Sequence, residues 1–99
     1  MPLFSTRHQI TPQSIIQRNK NLLFNEIDGE VVMLSIENSE YYGMDKIGSR
    51  IWELIENPVS VNGLIDILLD EYDVTREQCI EDTTGFLEQL AEKKLISIT

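Results

Sequence analysis

Ninety-nine residues suffice for one domain with one modest core, and a scaffold plus a full enzyme pocket would be a tight fit in that length. Apolar residues are 41% and charged residues 25%, a globular balance, and no apolar run approaches the roughly 20 residues of a membrane span. The net charge of -9 divides into +3 over residues 1–20 and -12 over residues 21–99, a surface that repels phosphate backbones and argues against nucleic acid; it would favour cationic partners, or merely keep a small protein soluble.

The start, Met1 to Ile10, has no long apolar stretch followed by a small-residue cleavage site. The single cysteine, Cys79, excludes an internal disulfide and fits a reducing cytoplasm, the expected location. Pro2, Pro12 and mixed polar residues make residues 1–20 read as an N-terminal arm, partly flexible or loosely docked, ahead of one domain over residues 21–99.

From Asn21 the pattern is that of strands. Leu22-Leu23-Phe24-Asn25-Glu26-Ile27 meets Asp28-Gly29 and continues as Glu30-Val31-Val32-Met33-Leu34-Ser35-Ile36. Asp-Gly between two such runs is a strong hairpin signal, because a type I′ turn needs positive φ at both central residues. A second polar break at Asn38-Ser39 leads into Glu40-Tyr41-Tyr42-Gly43, completing a three-stranded meander. With two-residue turns throughout, Tyr41 would lie opposite Ile36 and Tyr42 opposite Ser35. Leu23, Val32, Leu34 and Ile36 then share one face, and Leu22, Phe24 and Met33 the other. Apolar residues on both faces imply that something covers the second one, and the N-terminal arm is the candidate.

The remainder has helical spacing. Asp45 can cap a helix carrying Ile47, Ile51, Trp52 and Ile55, which ends before Asn57-Pro58. Ser60 can cap the next, with Leu64, Ile67, Leu68 and Tyr72 as its stripe. Thr75 with Gln78 forms a capping box for a third, which carries Cys79, Ile80, Thr83, Phe86, Leu87, Leu90 and Ala91 and ends on basic Lys93-Lys94. Leu95-Ile96-Ser97-Ile98 is a short extended ending. The expected fold is α+β: a three-stranded antiparallel meander followed by three α-helices, winged-helix-like with the hairpin in front.

Catalytic chemistry finds little footing. A nucleophile needs a base beside it, and the sole histidine, His8, sits in the arm while Cys79 sits mid-helix. One Cys and one His fall short of the usual four zinc ligands, and Gly29, Gly43, Gly48, Gly63 and Gly85 are too scattered to cradle a phosphate. No cofactor or metal is expected. Acidic pairs such as Asp70-Glu71 and Glu81-Asp82 read as solvated helix rims.

Two features stay loose on a purely structural reading. Glu40–Gly43 ends a meander and should leave an unpaired sheet edge. The third helix is apolar over two adjacent rows, so one can serve the core and the other a groove. An edge beside an apolar groove is what β-augmentation uses, with backbone pairing for affinity and side-chain pockets for specificity. The arm or a second copy of the chain could fill the same place.

The run Tyr41-Tyr42-Gly43-Met44-Asp45, then Gly48 and Ile51-Trp52-Glu53-Leu54-Ile55, resembles the strand-to-helix segment of PqqD-like proteins. So do Ser60-Val61 with Leu64-Ile65, Glu71-Tyr72-Asp73-Val74, and Asp82, Phe86-Leu87, Leu90 and Leu95-Ile96. The resemblance covers about residues 21–98. It implies three strands then three helices, no activity of its own, and recognition of a precursor's leader as a fourth strand beside the third helix. By position it puts Glu40, Tyr41, Tyr42 and Gly43 on the pairing edge, and Cys79, Asp82, Thr83 and Phe86 on the helical wall. As a free-standing chain it is similar to the leader-binding protein of split lasso-peptide systems, which implies a leader peptidase and an ATP-dependent cyclase as partners. A chaperone of pyrroloquinoline quinone biosynthesis is the alternative within the family. Two readings of other classes fit less well. A winged-helix regulator should have a basic recognition helix, whereas the second and third helices here are acidic, and a carrier protein would need an Asp-Ser-Leu attachment site.

Overall fold

The computed structural model describes residues 10–20, 22–35 and 39–99. In chain order the elements are β1 (Ile15–Arg18), β2 (Leu23–Ile27), β3 (Glu30–Ser35), β4 (Glu40–Gly43), α1 (Lys46–Leu54), β5 (Val59–Ser60), α2 (Val61–Glu71), α3 (Arg76–Glu92) and β6 (Ile96–Ile98). The strands form two antiparallel sheets, the meander β2-β3-β4 and a smaller sheet ordered β5-β1-β6. The architecture is α+β, with the expected meander and three helices. None of the helices, among the described residues, is long and apolar enough to cross a membrane.

Asp28 and Gly29 turn between β2 and β3 with φ of 53° and 81°, both positive as a two-residue turn of this hand requires. Gly29→Val puts a β-branched residue into that region, so it is expected to lower stability by at least about 1–2 kcal/mol. An unchanged Tm would show that the turn carries no such demand.

The next turn differs from the expectation. Tyr41 pairs with Leu34, Tyr42 with Met33, and the ladder closes at Ser35 and Glu40. Four residues, 36–39, therefore connect the strands, and Ser39 at their end is left-handed with φ 54°. The expected register was two residues out. A slip of two preserves side-chain parity, so each described residue still takes the face assigned from sequence, and Ile36 lies outside the described residues.

Phe24, Met33 and Tyr42 face the helices, and Leu23, Leu34 and Tyr41 face away. The arm does not cover that outer face in its described part. Ile15–Arg18 instead form the middle strand of the second sheet, where Ile16 is wholly buried. Arg18 then joins three elements. Its guanidinium lies 4.9 Å from the Phe24 ring centroid and 5.3 Å from that of Trp52. Its Nη1 donates to the Trp52 carbonyl at 3.1 Å in the last turn of α1, where a cation suits the helix dipole, and its Nη2 donates to Glu56 at 2.9 Å.

Each helix starts on the cap read from sequence. Asp45 Oδ1, Ser60 Oγ and Thr75 Oγ1 accept from the N–H groups of Gly48, Gly63 and Gln78. The capping box is only half made, because the Gln78 amide donates to Asp82 at 2.9 Å instead of turning back. Ile47, expected in the α1 stripe, is half exposed; Ile51, Trp52 and Ile55 are buried. In α2, Val61 and Ile65 enter the core with Leu64 and Leu68, while Ile67 and Tyr72 are partly exposed.

Arg50 fastens α1 to the end of α2. Its Nε and Nη2 donate to the two carboxylate oxygens of Glu71 at 2.9 and 2.7 Å, and Nη1 donates to Glu53. These hydrogen bonds hold the Glu71 carboxyl below its usual range and raise the guanidinium's pKa further. A carboxyl with a depressed folded pKa adds stability above its unfolded pKa of about 4.3 and loses it as pH falls through the folded value. Glu71→Gln is therefore expected to lower the Tm at neutral pH and to match the wild type once acid has protonated Glu71. Equal losses at both pH values would contradict the pairing.

Candidate peptide-binding groove

β4 pairs with β3 alone, so its other side is a sheet edge among the described residues. Which groups it presents follows from one bond. Met44 N–H donates to the Val31 carbonyl at 2.9 Å, which makes that pair a hydrogen-bonded one. Alternation then turns the backbone groups of Tyr42 and Glu40 inward to β3, and those of Tyr41 and Gly43 outward. Val31 N–H does not return the bond. It donates to Ser49 Oγ at 2.8 Å, and that hydroxyl in turn donates to the Met44 carbonyl at 3.3 Å. A side chain of α1 thus replaces the last rung and pins the strand end to the helix.

Beside this edge lies an open cavity of about 250 Å³. Its strand side is Tyr41, Tyr42, Gly43 and Met44; its helix side is Phe86, Gln89, Leu90 and Lys93, with Leu95 beyond. Phe86, Gln89, Leu90 and Lys93 stand at i, i+3, i+4 and i+7, one stripe of α3 that runs on to its C-cap residue, Lys93. Phe86 is half-buried and leans on α1, where a Cβ added to Gly48 would sit 3.2 Å from the ring. Lys93 Nζ lies 4.5 Å from the Tyr42 ring centroid.

Four of the eight residues expected at the site thus adjoin or line one space: Tyr41, Tyr42, Gly43 and Phe86. Glu40 is exposed at the start of the edge strand. Cys79 and Thr83 stand elsewhere. They are 5% and 3% exposed, on the core-facing side of α3, with Sγ and Oγ1 3.9 Å apart. Asp82 is exposed and occupied by the Gln78 amide. The sequence reading missed Gln89 and Lys93, although continuing the Phe86 stripe by three and seven residues would have reached both. His8 lies outside the described residues.

A second open hollow, about 340 Å³, lies on the outer face of the meander between Leu23, Ile27, Val32, Leu34 and Tyr41. Leu23, Ile27 and Tyr41 are each more than half exposed there.

No curated protein matches the chain. Among solved structures, one described as TbiB1 in complex with the TbiA(beta) leader peptide is similar, with 34% sequence identity and a TM-score of 0.74 over 82% of this chain and 94% of that one. Residues 30–96, from the central meander strand to the first residue of β6, match the family described as coenzyme PQQ synthesis protein D. The chain belongs to the PqqD family.

Proposed function

We propose that this protein binds the leader segment of a ribosomally made precursor peptide as a fourth strand on Tyr41–Gly43 and performs no chemistry on it. The observation that carries this reading is the outward edge of β4 standing directly over the Phe86–Lys93 stripe of α3. Backbone pairing then fixes the peptide, and alternate side chains enter the cavity. The leader-bound state of TbiB1, a relative at 34% identity over most of both chains, supports it.

The precursor so held is presented in the cytoplasm to a leader peptidase and an ATP-dependent cyclase, as the Tyr41-Tyr42-Gly43-Met44-Asp45 and Ile51-Trp52-Glu53-Leu54-Ile55 wording of split lasso-peptide systems suggests. Glu40, Tyr41, Tyr42, Gly43 and Phe86 make the contacts. Cys79 and Thr83 support the wall from behind, and Asp82 stands at its rim.

Titrating the labelled protein with the TbiA(beta) leader, or with the leader of a precursor encoded beside this chain, is the test. Amide shifts are expected at Tyr41, Gly43 and Phe86–Lys93. Shifts confined to β2 and residues 10–20 would sink the reading. Phe86→Ala is expected to weaken binding by more than about 1 kcal/mol, as a buried aromatic anchor does. An equally tight complex would remove Phe86 from the interface.

A further inference from the structure

Lys93 is the one charged side chain among the residues lining the groove. That sign is unexpected in a domain whose residues 21–99 hold 17 acidic and five basic residues. Of the other basic residues of the helices, Arg50 is engaged by Glu53 and Glu71 and Arg76 by Asp66, while Lys46 stands at the start of α1, beside Glu26 and Gly29 and away from the groove. Lys93 has no carboxylate partner among the described residues; its ammonium rests on the Tyr42 ring. A partly buried cation held against an aromatic face and open to a groove is a waiting half of an ion pair.

We propose that Lys93 selects peptides with an acidic side chain, which it meets at the far end of the groove from Phe86. This rests on the strand-addition reading above and adds a rule of ligand sequence to it. Seven helical residues separate Phe86 from Lys93, an axial distance of about 10 Å. Side chains on one face of an extended peptide recur every 6.5–7 Å or so. The ligand therefore carries an apolar residue over Phe86 and Leu90, with an Asp or Glu two or four positions away on the same face. Odd spacings would turn the carboxylate to solvent.

The test uses the full-length chain and a displayed library of random dodecapeptides, selected in parallel on the wild type and on Lys93→Glu. Wild-type pools should be enriched in Asp or Glu at the even spacing from an apolar residue, and the Lys93→Glu pools in Lys or Arg there. For one selected acidic peptide, Lys93→Met, which keeps a long apolar stem on Tyr42, should weaken binding about fivefold, and Lys93→Glu more. A Lys-for-acid swap in the peptide should restore affinity for Lys93→Glu. Pools of the same charge from both proteins, or an acidic peptide indifferent to Lys93→Glu, overturn the inference. Tyr41→Pro separates the two layers. Peptides that lose binding on Tyr41→Pro yet ignore Lys93 sink the charge rule alone, whereas peptides that bind Tyr41→Pro unimpaired sink the edge reading and the rule with it.

Discussion

An Ile16→Ala variant is expected to lose about 2–5 kcal/mol of stability, the range for truncating a fully buried aliphatic side chain. Ile16 belongs to a segment whose composition suggests a loose arm, yet its side chain is wholly buried. The backbone around it is bonded throughout. Ile15 exchanges hydrogen bonds with Thr99 at 2.9 and 3.0 Å, Ser14 and Arg18 bond to Val61 and Ile55, and Asn19 N–H donates to the Leu95 carbonyl. A chain beginning after Arg18 would strip the partner from both β5 and β6, and should fail to give a cooperative urea transition. A loss below about 0.5 kcal/mol for Ile16→Ala, the scale of an ordinary surface change, would mean that β1 is dispensable.

Proline at two adjacent positions of β4 should have opposite consequences. At Tyr41 the N–H faces outward, so Tyr41→Pro leaves the β3 ladder whole and removes a donor from the edge. Peptide affinity is expected to fall at least about tenfold, with a Tm near that of the wild type. At Tyr42 the N–H faces Met33, so Tyr42→Pro breaks a rung and leaves a carbonyl unmet, a cost of about 1–3 kcal/mol in stability. Calorimetric titration beside thermal melts reads both effects. If Tyr42→Pro were the better-folded variant and the poorer binder, the pattern of bonds along β4 would be reversed.

Local rules served well where the chain decides locally. Asp45, Ser60 and Thr75 cap the helices they precede, and Asp28-Gly29 turns as written. Register across residues 36–39 was not legible, because Asn38-Ser39 marks a break without fixing how many residues it takes. The second sheet was less legible still. Its strands come from residues 15–18, 59–60 and 96–98, and the pairings span some 40 to 80 positions of sequence, beyond any periodicity window. Two β5 residues also carry no pattern of their own. The groove was half readable: the edge strand and Phe86 were named beside the cavity, but Cys79 and Thr83 were assigned to the same wall and lie buried. Cys79 and Thr83 go to the core because they share a side with Leu87 and Leu90, whereas Phe86 continues toward Gln89 and Lys93. Cys79, Thr83, Phe86 and Leu90 stand at i, i+4, i+7 and i+11, one helical row, so spacing alone did not separate the buried positions from the groove-lining ones.

The pinning of β4 by Ser49 bears on how long a guest stays. With the strand tied off at Met44, the edge offers only the N–H and C=O groups of Tyr41 and Gly43. Four backbone hydrogen bonds at about 1 kcal/mol each correspond to millimolar affinity. At ordinary association rates near 10⁶ M⁻¹s⁻¹, that alone gives a dwell of roughly a millisecond. Everything beyond it is supplied by side chains in the groove, so residence time is written in the guest's sequence and not in the host's backbone. A short edge of this kind suits a carrier that must let go: it can hold a chosen peptide briefly and release it without a conformational change.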